Sequence, residues 1–108
     1  MPVELVKLKH LKTLDLSNNT LGGTIHTEIH YLKSLQTIDI SANRFSGTLP
    51  SEIALIDSIT SLNLRANEIS GKIPSEISEL TNLKFISVES NLMEGELNMI
   101  DGLKKLGT

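Results

Sequence analysis

The chain has 108 residues, 39% hydrophobic and 21% charged, which suits one domain with a modest core and excludes a solvated disordered tail. Its formal net charge is −3 with scattered cations, giving no basic footprint for nucleic acid or a membrane surface, and no apolar run approaches the roughly 20 residues that span a bilayer. It has no cysteine, so no disulfide framework, thiol nucleophile or zinc finger, and Met1-Pro2-Val3-Glu4 does not read as a signal peptide.

In chain order the segments repeat. Residues 1–10 read as the second half of a repeat, because Met1-Pro2-Val3-Glu4-Leu5 aligns with Leu49-Pro50-Ser51-Glu52-Ile53. Residues 11–34 open on Leu11-Lys12-Thr13-Leu14-Asp15-Leu16-Ser17-Asn18-Asn19, and residues 35–58 on Leu35-Gln36-Thr37-Ile38-Asp39-Ile40-Ser41-Ala42-Asn43. Residues 59–82 begin Ile59-Thr60-Ser61-Leu62-Asn63-Leu64-Arg65-Ala66-Asn67 and residues 83–105 begin Leu83-Lys84-Phe85-Ile86-Ser87-Val88-Glu89-Ser90-Asn91. Leu106-Gly107-Thr108 then matches Leu11-Lys12-Thr13, so residues 106–108 start a further repeat. The asparagines Asn19, Asn43, Asn67 and Asn91 lie 24 residues apart. Each is followed by an apolar residue (Leu21, Phe45, Ile69, Met93), a glycine (Gly23, Gly47, Gly71, Gly95) and a second apolar residue (Ile25, Leu49, Ile73, Leu97).

This pattern, with Phe45-Ser46-Gly47-Thr48-Leu49-Pro50 and Ile69-Ser70-Gly71-Lys72-Ile73-Pro74, resembles the plant-type leucine-rich repeat of receptor-like kinases, receptor-like proteins and polygalacturonase inhibitors. The resemblance covers the whole chain. It implies an α/β solenoid: a right-handed superhelix with a short parallel sheet on its concave face and 3₁₀ or turn segments on its convex face. It also implies a protein- or peptide-recognition module of a cell-surface or extracellular receptor, with no catalytic group and no cofactor. Two other roles fit the same array, a secreted hydrolase inhibitor of the polygalacturonase-inhibitor type and an intracellular repeat scaffold.

The residues give physical reasons for the pattern. Leu14/Leu16, Ile38/Ile40, Leu62/Leu64 and Ile86/Val88 have period two, which turns both side chains of each pair to one face of a strand. One strand per repeat, stacked at about 4.8 Å, makes a parallel sheet whose inner face only neighbouring repeats can bury. An asparagine amide both donates and accepts, so Asn19, Asn43, Asn67 and Asn91 suit a structural ladder where the chain leaves the sheet. The glycines suit positions where a Cβ is blocked. Pro50-Ser51-Glu52 and Pro74-Ser75-Glu76 predict short helical turns opened by proline and capped by serine, with Glu4, Glu28, Glu52 and Glu76 as a solvated acidic stripe.

The chemistry that these residues could carry is thin. His26 and His30 stand at i and i+4, a metal-capable spacing, but no third ligand is specified and His26 shares the column of Pro50 and Pro74. Asp15 and Asp39 are column neighbours on an open face that Asn63 and Ser87 continue, without a pocket for acid–base work. Asn18-Asn19-Thr20 is a glycosylation sequon, which matters only in a secreted chain. The concave face is the expected binding surface, with Lys12, Asp15, Asp39, Asn63, Arg65, Lys84, Phe85 and Glu89 as its contacts. Phe85, read as lying beside Arg65 and Glu89, is the expected anchor, because aromatic and Arg side chains dominate interfaces. Four short strands expose only a few hundred Å², against the standard of about 800 Å² per partner. A partner must therefore also grip the sides, or the natural array is longer. The half repeat at the start, and the register shortened by one residue before Ile100, Leu103 and Leu106 with Asn98 in place of proline, predict a fragment of a longer array.

Overall fold

A computed structural model describes residues 3–94. Gly95, Leu97, Asn98, the shifted leucine register and the repeat start at residues 106–108 lie outside the described residues.

The period-two segments form strands β1 (Thr13–Asp15), β3 (Thr37–Asp39), β5 (Ser61–Asn63) and β7 (Phe85–Ser87), numbered in chain order. They make one parallel sheet in the order β1-β3-β5-β7. Its register has no slip: Leu14 pairs with Ile38, Ile38 with Leu62, and Leu62 with Ile86. Beyond the strands, N–H groups of Leu16, Ile40 and Leu64 donate to the carbonyls of Asp39, Asn63 and Ser87 at 2.8, 3.0 and 2.8 Å, each one coil further on.

After each turn the chain forms a second, shorter strand: β2 (Gly22–Thr24), β4 (Arg44–Ser46), β6 (Ser70–Gly71) and β8 (Leu92–Met93). β2 pairs with β4 and β6 with β8, both in parallel, and a Thr48–Ser70 bridge continues the stack between them. The glycines serve this second wall. Gly47 and Gly71 have φ of +76° and +78°, and a Cβ on either would stand 3.0 Å from the Cγ2 of Thr24 or Thr48 in the preceding coil.

The return path of each coil is a five-residue 3₁₀ turn: η1 (Val3–Lys7), η2 (Thr27–Tyr31), η3 (Ser51–Leu55) and η4 (Ser75–Glu79). The expectation of serine caps is corrected here. Ser51 and Ser75 already lie inside their turns, and the cap positions are Pro50 and Pro74, which make no side-chain cap bond. Pro50 enters at φ −71° and ψ 139°, and His26 takes almost the same angles, −69° and 141°. His26 thus adopts the backbone that proline presets in the neighbouring coils.

The core lies between these walls, and its burial shows why coils must stack. In one column, Ile40 and Leu64 are buried while Leu16 and Val88, in the outer described coils, are only partly covered. Phe45 and Ile69 are likewise buried between the half-covered Leu21 and Met93. In these two columns a side chain leaves water fully only with a described coil on each side. The chain is therefore a leucine-rich-repeat solenoid with a parallel sheet on one side and 3₁₀ turns on the other.

Candidate interaction face

The four asparagines stand where the chain leaves the sheet. Asn67 Nδ2 donates to the carbonyls of Ile40, Leu64 and Arg65 at 2.9, 3.2 and 3.3 Å, and its Oδ1 accepts from the Phe45 N–H at 3.0 Å. Asn43 repeats this with Leu16, Ile40 and Ser41 as acceptors and Leu21 as donor. Asn91 does so with Leu64, Val88 and Glu89, and accepts from Ile69. Each amide thus ties its own coil to the one before. Among the described residues Asn19 donates only within its own coil, to Leu16 and Ser17, and it is exposed.

Sequence reasoning missed two further devices. Ser58 donates to the carbonyls of Lys33 and Leu35, and Asn82 Nδ2 to that of Asp57 at 3.1 Å, so a polar column at residues 58 and 82 also stitches coils together. The second is a left-handed column: Asn18, Ala42, Ala66 and Ser90 have φ of 57°, 56°, 60° and 61°. The sequon asparagine Asn18 is exposed and occupies this conformation, which Asn tolerates better than most residues.

The outer face of the sheet carries the polar columns. Ser17 donates its N–H and Oγ to one oxygen of Asp15 at 3.0 and 2.6 Å, and Ser41 does the same to Asp39. The two carboxylates are each engaged by their own turn. The bonds from the Ser17 hydroxyl, and then from its N–H, hold the Asp15 carboxyl below the usual aspartate range. In the next coil Asn63 Oδ1 accepts from the Arg65 N–H at 3.1 Å. In the fourth, Ser87 turns its hydroxyl to the Glu89 carboxylate and is buried rather than open.

Lys12, Asp15, Arg65, Lys84, Phe85 and Glu89 are exposed on this face, while Asp39 and Asn63 are half-buried. Phe85 is 50% exposed and pairs with Ser61, which pairs with Thr37, so among the described residues its row continues in small hydroxyl side chains. The register parts Phe85 from Arg65. Arg65 is four positions beyond Ser61, roughly 13 Å along an extended chain. Arg65 instead shares its row with Glu89, since the Ala66 N–H donates to the Glu89 carbonyl. Phe85 and the Arg65/Glu89 pair thus mark opposite ends of one strip.

The histidines are apart from that strip, on η2. His30 Nδ1–H donates to the Thr27 carbonyl at 2.7 Å, and its ring centroid lies 4.4 Å from that of Tyr31. Among the described residues no group of three His, Cys, Asp or Glu side chains is placed to hold a metal ion, and no helix is long and apolar enough to cross a membrane.

Leucine-rich-repeat family profiles match residues 3–45 and 58–80. Among solved structures, a chain of the BIR3–SERK2 complex from Arabidopsis thaliana is 36% identical over 88% of this chain, with a TM-score of 0.85. The BIR2 ectodomain from the same plant is 38% identical over 88%, with a TM-score of 0.86. The plant peptide hormone receptor RGFR1 in complex with RGF2 is 31% identical over 98% of this chain and 21% of its own, with a TM-score of 0.70. This chain spans about half the length of the first two, 51% and 50%. No curated protein matches it. The chain belongs to the leucine-rich-repeat family, in its plant-type form.

Proposed function

We propose that this chain is a non-catalytic recognition module, part of the extracellular ligand-binding array of a plant receptor-like protein or receptor kinase, and that its ligand is a protein or peptide. The observation that carries this reading is the outer face of the sheet, where the half-exposed Phe85 ring and the charges of Lys84, Arg65 and Glu89 stand along one register-locked strip. Rigid presentation of an aromatic and an Arg lowers the ordering cost of binding. Likeness to receptor ectodomains, two of them in complexes, supports the same reading.

In this reading Lys12, Asp15, Asp39, Asn63, Arg65, Lys84, Phe85 and Glu89 face the ligand, and Asn19, Asn43, Asn67 and Asn91 hold the scaffold. A glycan on Asn18 belongs to the same extracellular setting. A displayed random-peptide library panned on the full chain tests the proposal. Enriched peptides are then titrated by calorimetry against wild type, the double variant Phe85→Ala/Arg65→Ala and the convex control Glu76→Ala. A loss of about tenfold or more in the double variant alone is expected for two anchor truncations. Equal affinity in all three would remove the ligand from the sheet face.

A further inference from the structure

The convex flank carries a cationic groove that the ligand-face proposal does not use. Lys7 and Tyr31 end the 3₁₀ turns η1 and η2, and Lys9 and Lys33 each follow two residues later. The Lys9 N–H donates to the Lys7 carbonyl and the Lys33 N–H to the Tyr31 carbonyl, both at 3.0 Å. The two lysines therefore leave the backbone from the same tight turn, one coil apart. Together these four residues line a groove of about 500 Å³. All four are exposed, and the Tyr31 ring, 49% exposed, stands against that of His30 with centroids 4.4 Å apart. In the two coils that follow, the column of Lys9 and Lys33 continues as Asp57 and Thr81, so the repeat itself does not require lysine there.

No carboxylate reaches the wall of this groove, and among the described residues none forms an ion pair with Lys7, Lys9 or Lys33. Lysine ammonium groups only donate, and the Tyr31 hydroxyl is the one other polar side-chain group on the wall. Such a wall suits a ligand whose polar groups only accept. Carboxylates meet that condition, whereas the hydroxyls of a saccharide also donate and would find no carboxylate or amide to receive them. A phosphate concentrates its charge and is gripped best by the bidentate fork of arginine, while separate lysines on long stems suit separate single charges. We propose that this groove docks an acidic segment of a partner protein, an extended stretch whose Asp or Glu side chains meet the lysines and whose apolar side chain rests on Tyr31. An extended chain sets alternate side chains about 7 Å apart, a step that lysine stems in successive coils span. The tyrosine ring supplies the apolar contact and leaves its hydroxyl in water.

The acidic column beside the groove gives the docking a direction. Glu4 and Glu28 stand three residues before Lys7 and Tyr31, one 3₁₀ turn earlier, and neither is on the groove wall. They repel an acidic ligand along that edge and leave the Lys9/Lys33 edge to hold its carboxylates. The two glutamates offset part of the lysines' attraction, and the ion pairs formed are exposed, so the contact is weak and salt-sensitive. It lies on the side of the 3₁₀ turns, opposite the sheet, and does not depend on what the sheet face takes.

Amide NMR of the full chain, titrated at low salt with a synthetic peptide of alternating Glu and Gly around a central Leu, tests this. Saturable shifts are expected from Lys7 to Lys9 and from Tyr31 to Lys33, with a dissociation constant that rises about fivefold or more at high salt. Lys9→Glu/Lys33→Glu should weaken binding about tenfold or more, and Tyr31→Ala about threefold. Glu28→Gln should tighten it about twofold, a gain that general damage does not produce. The control Arg44→Glu/Lys72→Glu makes the same change in net charge at exposed positions away from the groove, and should bind within about twofold of wild type. Inorganic phosphate and a uronate disaccharide are titrated alongside. Absence of saturation, shifts confined to Phe85 and Arg65, an equal loss in the control variant, no gain in Glu28→Gln, or tighter binding of phosphate or saccharide than of the peptide would each overturn the proposal.

Discussion

Asn43 serves four backbone groups with one side chain. Its two amide hydrogens are shared among the carbonyls of Leu16, Ile40 and Ser41, and its oxygen takes the Leu21 N–H. Truncation leaves the Leu21 N–H without its acceptor and removes one donor each from the Leu16, Ile40 and Ser41 carbonyls, at a site only 9% exposed, so Asn43→Ala should cost about 1–3 kcal/mol in a urea melt. Asn19→Ala should cost less, because Asn19 is exposed and ties only its own coil. Asp15 supplies a test by pH. Its folded-state pKa is depressed, so its contribution is present above the ordinary aspartate value and is lost as pH falls through the lower folded value. A carboxyl titration by NMR should place Asp15 below that ordinary value, and Ser17→Ala should move it upward. The asparagine column was legible because one residue type recurs at one spacing. The polar column was not, since Ser34, Ser58 and Asn82 vary, and neither was the left-handed column, since Ala42 and Ala66 are poor signals for positive φ.

Among the elements, β1, β3, β5 and β7 could be read from alternation, because the period of two is a property of each strand taken alone. The second wall could not. Gly22-Gly23-Thr24 and Ser70-Gly71 have little strand preference, and they pair because stacking brings backbones together rather than because the local sequence favours extension. At that wall Gly47 and Gly71 are held by sterics as well as by φ. Gly47→Ala should destabilise the fold by about 1–2 kcal/mol, combining a left-handed alanine with crowding of Thr24. A thermal melt against wild type reads it, and an unchanged midpoint would mean that the second wall yields freely. At η3 and η4 the Pro column announced the turns, whereas the caps were misassigned by one residue because Ser can serve either at the cap or just inside it.

At the scale of the molecule, every coil is incomplete by itself. Burial is near total at Ile40, Phe45, Leu64 and Ile69 and falls off at Leu16, Leu21, Val88 and Met93, so stability is shared between neighbours rather than held in one centre. The proposed ligand strip takes its geometry from the same stacking, with Phe85 and Arg65 fixed by register rather than by mutual contact. Sequence reading placed both residues on that strip but not the distance between them, because their separation depends on how β5 and β7 align. The most direct measurement is of NMR scalar couplings across hydrogen bonds, from the Leu16, Ile40 and Leu64 amides to the Asp39, Asn63 and Ser87 carbonyls. Couplings at all three pairs are predicted, since each joins one coil to the next in a single register. Their absence, or couplings to carbonyls one residue away, would contradict the stacked solenoid.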